Sequence, residues 1–132
     1  MDENKAQVII PPNMNPPPEE HEVSAAEILA RHYNTSVSFL MPSTGYMAKS
    51  ADFVMNGVLW ELKSPVSDSR RRCVSQRLDR ATTQSRNVIF DGRRTKLPDD
   101  FLVKQLRAEL EKRRSITRLI FIGKNAEILA LK

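Results

Sequence analysis

The chain is poor in the residues from which redox and zinc sites are built. Its 132 residues include one cysteine, Cys73, and two histidines, His21 and His32. A single thiol excludes an intramolecular disulfide and a cysteine-rich zinc site. The histidines are too few and too far apart to indicate a histidine metal site. We therefore interpret Cys73 as a small packing residue and both histidines as surface residues.

Long apolar runs are also missing. No segment approaches the roughly 20 apolar residues that a membrane-spanning helix needs, and the N-terminus lacks the apolar core of a signal peptide. The hydrophobic fraction of 40% and the charged fraction of 28% are ordinary for a globular protein. The sequence thus predicts a protein that acts in the cytoplasm, without a signal peptide or transmembrane segment.

Positive charge is in excess and unevenly distributed, with a formal net charge of +5. The basic residues gather at Arg70-Arg71-Arg72, Arg77, Arg80, Arg86, Arg93-Arg94 and Lys112-Arg113-Arg114. Because neutralised phosphates drive nucleic-acid affinity, this pattern favours a polyanionic partner. The alternative is an ordinary, solvated basic surface.

Two proline clusters mark the N-terminal segment, Pro11-Pro12 and Pro16-Pro17-Pro18. Prolines at this density favour polyproline geometry and interrupt helices and strands. We predict that residues 1–18 are a disordered tail or linker. Residues 19–132 are predicted to fold as one domain, and this length is enough to bury an adequate core.

The rest of the sequence alternates between helical and extended patterns. Apolar spacing and end signals predict the order α-β-β-β-α-β-α-β-β. The predicted helices cover about 19–33, 68–86 and 98–114, and the predicted strands cover 37–41, the arms of a hairpin between 52 and 63, 87–91, 117–122 and 127–131. Helices alternating with strands predict an α/β fold with a mixed central β-sheet flanked by helices.

The hairpin between 52 and 63 is the most informative segment. An Asn-Gly pair at 56–57, between two apolar runs, predicts a tight turn that brings Asp52 back toward the second arm. On that arm Glu61 and Lys63 share one face, whereas Trp60 points to the other face and into the core. Two carboxylates and a lysine at one end of a hairpin can hold a divalent metal beside a phosphate. The alternative is a solvated sheet face carrying an ordinary ion pair.

The helix after the hairpin carries a polar stripe. Arg77, Arg80 and Gln84 follow the spacing i, i+3 and i+7, which places them on one side. If this helix packs over the end of the sheet that carries Lys63, the stripe places cations and an amide beside that lysine. The alternative is a solvated helix face.

The pattern Asp52 … Glu61-Leu62-Lys63 resembles the PD-(D/E)xK nuclease superfamily, although Ala51 stands where a proline often precedes the aspartate. The chain is most similar to a narrower group, the C-terminal tRNase toxin domains of contact-dependent inhibition (CdiA-type) proteins. This resemblance covers roughly residues 20–132. It rests on a basic helix and on two strings, Ala51-Asp52-Phe53-Val54-Met55-Asn56-Gly57-Val58-Leu59-Trp60-Glu61-Leu62-Lys63-Ser64-Pro65 and Gln84-Ser85-Arg86-Asn87-Val88-Ile89-Phe90-Asp91.

The resemblance implies a restriction-endonuclease-like, PD-(D/E)xK core and metal-dependent cleavage of phosphodiester bonds. Asp52 and Glu61 would bind one or two Mg²⁺ or Mn²⁺ ions, with the carbonyl of Leu62 as a further ligand. Lys63 would orient or activate the attacking group, or neutralise the phosphate.

Further site residues follow from the same resemblance. A glutamate on the first helix often adds a carboxylate in this superfamily, and Glu22 fits the spacing, with Glu27 as its competitor. Ser24-x-x-Glu27 is also typical of a capping box, and Glu22 could instead contact the helix dipole. Gln84 and Asn87 match positions that orient the phosphate or the nucleophile.

These implications predict a metal-dependent ribonuclease that cleaves tRNA as an interbacterial toxin, with an acidic immunity protein covering its site. Phosphate contacts are assigned to Arg70, Arg71, Arg77, Arg80, Arg86 and Arg93. Either water or a neighbouring 2′-hydroxyl could be the nucleophile, and in the second case the metal could be dispensable. Two alternatives stay open, a DNase of a mobile element and a non-catalytic basic module that binds nucleic acid.

Overall fold

The computed structural model describes residues 6–41, 51–81 and 86–132. Three helices and seven strands lie in these ranges. In chain order they are β1 (Val8–Ile9), α1 (Glu20–Tyr33), β2 (Val37–Phe39), β3 (Phe53–Met55), β4 (Val58–Lys63), α2 (Cys73–Ala81), β5 (Asn87–Asp91), α3 (Asp99–Lys112), β6 (Arg118–Ile122) and β7 (Ile128–Ala130).

The seven strands form one mixed sheet whose spatial order follows the chain order. β2, β3 and β4 pair antiparallel, as do β6 and β7, whereas β1 is parallel to β2, and β4, β5 and β6 are parallel to one another. α2 and α3 make the crossovers that parallel neighbours require. The predicted mixed sheet and the order of its helices and later strands are confirmed, while the restriction-endonuclease-like core remains a prediction.

Side-chain alternation gives the sheet two apolar faces. On one face α1 packs Ala25, Ala26 and Leu29 against a core that includes Phe53 and Trp60. The small alanine side chains let the helix approach the sheet closely, which suits a buried contact. On the other face α2 and α3 pack against β5 and β6 around a second buried core, formed by Cys73, Val74, Leu78, Val88, Phe90, Leu97, Leu102, Leu106, Ile116, Leu119 and Phe121.

The predicted hairpin turn is confirmed. Asn56 and Gly57 both have positive φ angles, 54° and 72°, as the tight turn of a two-residue hairpin requires. Phe53 pairs with Trp60 across the hairpin. Trp60 is 5% exposed and its indole N–H donates to the Met55 carbonyl at 3.3 Å. The prediction that Trp60 belongs to the core is therefore confirmed.

Part of the proline-rich N-terminal segment lies against the domain. Val8 pairs with Val37 in parallel register, and the backbone N–H of Val37 donates to the Gln7 carbonyl at 2.9 Å. Met14 packs on the core under α1. The sequence analysis assigned these residues to a tail or linker because a two-residue strand leaves no periodic pattern to detect.

The first helix starts one turn earlier than a Ser24–Glu27 capping box would require. Its N-cap is Glu19, and the backbone N–H of Glu19 donates to the Glu22 side chain at 2.8 Å. This capping box therefore corrects the one read from the sequence. Within the described residues, no helix combines the length and the apolar character needed to cross a membrane.

Candidate active site

Three charged side chains meet where β3 begins and β4 ends. The backbone N–H of Asp52 donates to the Trp60 carbonyl at 2.8 Å, so Asp52 lies beside the residue that precedes Glu61. The Asp52 carboxylate accepts the Leu62 N–H at 2.7 Å. The Nζ atom of Lys63 lies 3.3 Å from Oε1 of Glu61. The structure thus brings together the residues that the sequence pattern singled out.

Glu61 is held in an unfavourable electrostatic environment. It is 3% exposed, and among the described residues its Oε2 atom has no hydrogen-bond partner. Burial, and next the negative charge of Asp52, raise the pKa of Glu61 from 4.5 to about 8, although Lys63 acts in the opposite direction. A carboxylate that is desolvated and close to a like charge binds a proton or a cation strongly.

These donors fit a hard divalent cation. Asp52 and Glu61 supply oxygen atoms, and Mg²⁺ is typically held by one or two carboxylates while it keeps several waters. The unpartnered Oε2 of Glu61 is the kind of buried oxygen that a cation would satisfy. No cluster of three or more His, Cys, Asp or Glu side chains with metal-binding geometry occurs in residues 6–41, 51–81 and 86–132. Water and substrate oxygens would therefore complete the coordination.

Helix α2 packs beside β4 and against α3. Arg113 at the end of α3 contacts the Ser75 carbonyl at 3.4 Å and the Asp79 carboxylate at 2.7 Å. With about 100° between successive residues, Arg77 and Arg80 lie roughly opposite Ser75 and Asp79 on the helix. The placement of these arginines beside Lys63 stays a prediction.

Two other side chains predicted for the site, Gln84 and Asn87, are not placed there by the described contacts. Gln84 lies outside the described residues. The amide of Asn87 donates to the Leu59 carbonyl at 3.1 Å and accepts from Arg118 at 3.1 Å. Asn87 therefore links β4, β5 and β6 through its side chain.

The first-helix glutamates are engaged differently from each other. Glu22 closes the α1 capping box with the N–H of Glu19 at 2.8 Å, and its side chain is half-buried. Glu27 is exposed and lines a cleft of about 710 Å³ together with His21 and Arg94. Neither glutamate has a described contact with Asp52 or Glu61, and the choice between them as a further carboxylate stays a prediction.

Most of the arginines assigned to phosphate contacts are on the surface. The exposed ones are Arg70, Arg71, Arg80 and Arg86, and Arg77 is half-buried. The guanidinium of Arg70 stacks over the Phe101 ring at 4.7 Å, which holds it beside the first turn of α3. The contact of these arginines with nucleic acid stays a prediction.

Arg93 is used inside the protein. Its guanidinium pairs with both oxygens of Asp91, at 2.9 Å and 2.8 Å, and also donates to the Ser24 hydroxyl at 2.8 Å. A guanidinium with these bonds has little capacity left for a phosphate. We therefore correct the assignment of Arg93 from a nucleic-acid contact to a structural ion pair.

Sequence reasoning missed Asp91. It is fully buried at the end of β5, and besides Arg93 it accepts the Ser64 hydroxyl at 3.3 Å. Arg94 then donates to the Ser64 carbonyl at 3.1 Å. Ser64 directly follows Lys63, so this network fixes the end of the strand that carries the lysine. The signal in the sequence was a charged residue ending an apolar strand with arginines two and three positions later.

A cavity with a largely apolar lining lies elsewhere. A volume of about 510 Å³ opens between α3 and the β6–β7 hairpin and is lined by residues such as Val103, Phe121 and Leu129. It lies on the far side of α3 from α2 and contains no part of the Asp52–Glu61 pair. We place the candidate active site by its chemistry rather than by the size of a cavity.

Similarity to known proteins identifies the family of this chain. No curated protein sequence matches the chain. The solved CdiA-CT/CdiI toxin and immunity complex from Burkholderia pseudomallei contains a similar chain, with a TM-score of 0.69 and 16% sequence identity over 96% of this chain and 98% of that one. At that identity the likeness shows the fold alone. Residues 49–128, more than half of the chain and including the whole hairpin, match the contact-dependent growth inhibition CdiA C-terminal domain. The chain therefore belongs to the CdiA C-terminal domain family of contact-dependent growth inhibition toxins.

Proposed function

We propose that this domain is a metal-dependent nuclease that cleaves phosphodiester bonds of tRNA. Its family places it among the toxins of contact-dependent growth inhibition, and the proposal concerns the reaction. The observation that carries it is the buried Glu61, whose Oε2 lacks a partner among the described residues, beside Asp52 and Lys63. Such an arrangement costs stability in the free protein and is expected where a cation and a phosphate are to be bound.

Each residue has a defined task in this proposal. Asp52 and Glu61 would hold a divalent cation, which would supply neutralising positive charge beside the phosphate. The Leu62 N–H fixes the Asp52 carboxylate at 2.7 Å, so that its other oxygen stays directed toward the site. Lys63, only 16% exposed, stabilises the charge that develops on the phosphate oxygens. Arg77 and Arg80 contact neighbouring phosphates and thereby fix the position of the substrate.

The resemblance of the hairpin string to tRNase toxin domains favours tRNA over other nucleic acids. Duplex DNA is the second candidate substrate, because most PD-(D/E)xK nucleases cut DNA. The water and 2′-hydroxyl routes differ in their products, since attack by the 2′-hydroxyl leaves a cyclic phosphate and attack by water does not.

The test is an incubation of the purified domain with total tRNA and with duplex DNA, in Mg²⁺, in Mn²⁺ or in EDTA. Glu61→Gln keeps the volume of the side chain and removes its charge, and Glu111→Gln on the exposed side of α3 is the matched control. Discrete tRNA fragments that disappear with Glu61→Gln and in EDTA, but not with Glu111→Gln, are expected. Cleavage of DNA alone would replace tRNA as the substrate, and binding without cleavage would replace the nuclease by a binding module.

We further propose that an acidic immunity protein covers this site. The similar Burkholderia pseudomallei chain is described as part of a toxin and immunity complex. Here the charge is +5, and arginines such as Arg71, Arg80 and Arg86 are exposed. A cognate partner of this kind would stop cleavage at a ratio of one to one, and inhibition would weaken as salt screens the charges.

A further inference from the structure

In the part of the chain that the structure describes, the face of the sheet that carries Glu61 is only partly covered. Val88 and Phe90 on β5 belong to the core under α2 and α3. On β2 and β3 the residues of the same face are Ser38 and Val54, and they pair directly with each other. Both are half-buried, and neither belongs to a described core cluster. The helices therefore leave this part of the sheet open beside the candidate active site.

Two apolar side chains lie side by side on this open face. Val54 pairs with Leu59 across the hairpin, and Leu59 is 52% exposed. Leu59 shares its face with Glu61 because the two residues are separated by one residue on β4. We call Val54 and Leu59 the apolar shelf.

On the hairpin, the apolar shelf lies next to the carboxylate pair Asp52 and Glu61. Leu59 lies two residues from Glu61 on β4, and Val54, which pairs with Leu59 across the hairpin, lies two residues from Asp52. Two residues along a strand span about 6.7 Å, roughly the length of one extended nucleotide. A phosphate held by the carboxylates would therefore place a neighbouring nucleoside over the shelf.

Positive charge lies at one end of the apolar shelf. Arg86 comes directly before β5, and the next residue, Asn87, bonds the Leu59 carbonyl at 3.1 Å. The register of β4 with β5, continued by two residues, places Arg86 beside Leu59. Arg86 is exposed. Arg86 therefore stands at the end of the shelf, one strand across from Leu59, where it would contact a phosphate beside a base that packs on the shelf.

We propose that the apolar shelf is a subsite for an unpaired nucleobase next to the cleaved phosphate. This inference rests on the proposed nuclease function and adds the substrate class to it. Val and Leu side chains can pack only against the face of a base, and base faces are covered by stacking inside a duplex. The enzyme would therefore cut at nucleotides in loops or single-stranded ends, where bases can be splayed out.

Because the side chains of the shelf are aliphatic, the shelf distinguishes poorly among the four bases. Packing against the face of a base involves no hydrogen bonds, so it is tolerant of base identity. The shelf would consequently select nucleotides by their accessibility. Any choice among the four bases would have to come from other groups.

The experiment measures binding and cleavage separately. Binding is measured in the Glu61→Gln background, with a fluorescent single-stranded RNA and with the same RNA annealed to its complement. Leu59→Ser is expected to weaken binding of the single strand by about 5-fold, the low end for loss of one stacked base, and to leave binding of the duplex unchanged. Leu59→Tyr offers a larger flat surface and should tighten binding of the single strand.

The control is Leu129→Ser, which removes a leucine of similar exposure, 45%, on β7. It should change neither binding nor cleavage. With the active protein, Leu59→Ser should reduce cleavage of the single strand by the same factor as binding.

The shelf proposal is supported if Leu59→Ser weakens and Leu59→Tyr tightens binding of the single strand, while binding of the duplex changes in neither variant. A different result is that Leu59→Ser weakens binding of the single strand and of the duplex equally, or weakens neither. In a protein that still cleaves, either result would overturn the shelf proposal and leave the nuclease proposal standing. Loss of binding to an immunity partner without any change for RNA would overturn it in favour of a protein contact. If the unsubstituted protein cleaves neither RNA nor DNA, the nuclease proposal fails, and the shelf proposal fails with it.

Discussion

Two buried carboxylates on opposite faces of the same sheet show how differently one fold can treat a charge. Asp91, at the end of β5, is fully buried and is bonded through both oxygens to Arg93 and through one of them to Ser64. Glu61, in β4, is nearly as buried, but its Oε2 has no partner among the described residues. Complete bonding makes Asp91 part of the scaffold, whereas incomplete bonding leaves Glu61 ready to bind a cation.

The positions of the two carboxylates explain the contrast. Asp91 lies on the α1 side, where Arg93 also reaches Ser24 and the His21 carbonyl. Glu61 lies on the side of α2, next to an open sheet face, and its neighbour Asp52 adds to the unfavourable charge. The hydrogen bonds of Asp91 to Ser64 and Arg93 hold the end of β4 in place. They thereby help to offset the unfavourable burial of Glu61 on the same strand.

The contrast between Glu61 and Asp91 predicts its largest effect on the rate of cleavage. Glu61→Gln should reduce cleavage by about 1,000-fold or more, because it removes a ligand of the proposed cation and the charge that balances Lys63. Asp91→Asn should retain most of the activity per folded molecule. Cleavage rates under single-turnover conditions, normalised to the folded fraction, check both. Similar losses in the two variants would break the distinction between a reactive and a structural carboxylate.

Stability should respond in the opposite order. Asp91→Asn leaves the Arg93 guanidinium partly buried without its countercharge and should cost about 3–5 kcal/mol of unfolding free energy. Urea denaturation measures this loss. Glu61→Gln, in contrast, should not destabilise the protein at neutral pH. Replacing Asp91 and Arg93 together by leucine and methionine should restore much of the lost stability, since a broken buried pair costs more than an absent one.

The sequence was sufficient for one of these carboxylates and not for the other. Glu61 could be found because alternation on β4 and the Asn56–Gly57 turn are local signals, and together they fix which side chains oppose each other. Asp91 could not, because its partner Ser64 is distant in sequence and meets it only after β4 and β5 are packed. The same limit applies to Arg93, whose role depends on a partner two residues away that the fold has buried.

The shelf illustrates a second limit. The sequence shows Leu59 as one more apolar residue in an apolar arm, and periodicity alone would assign it to a covered sheet face. Its 52% exposure follows from where α2 and α3 end, since the helices cover β5 and β6 but not β3. Strand pairing could be predicted from local patterns, whereas helix coverage depends on the packing of the whole domain.

The pH dependence of stability offers a direct view of Glu61. Since its pKa is raised to about 8 in the folded protein, the folded state holds a proton that the unfolded state has released above about pH 4.5. The contribution of this carboxyl is therefore fully present below pH 4.5 and is lost as pH rises through 8. In EDTA, unfolding free energies of the unsubstituted protein and of Glu61→Gln should diverge over this range by roughly 5 kcal/mol, in favour of Glu61→Gln. Parallel curves would show that Glu61 is an ordinary carboxylate.

The smallest effect is expected at Ser64, which lies between the two regions. Ser64→Ala removes only the 3.3 Å hydrogen bond to Asp91, while Arg93 and the backbone bond from Arg94 to the Ser64 carbonyl remain. A loss of about 0.5–1 kcal/mol in unfolding free energy is expected, against no change for the exposed Ser115→Ala. Because Ser64 follows Lys63 directly, its loosening should lower the cleavage rate slightly without changing RNA binding. A loss of several kcal/mol would mean that the Asp91 network depends on Ser64 as much as on Arg93, and the scaffold would then extend into the candidate active site itself.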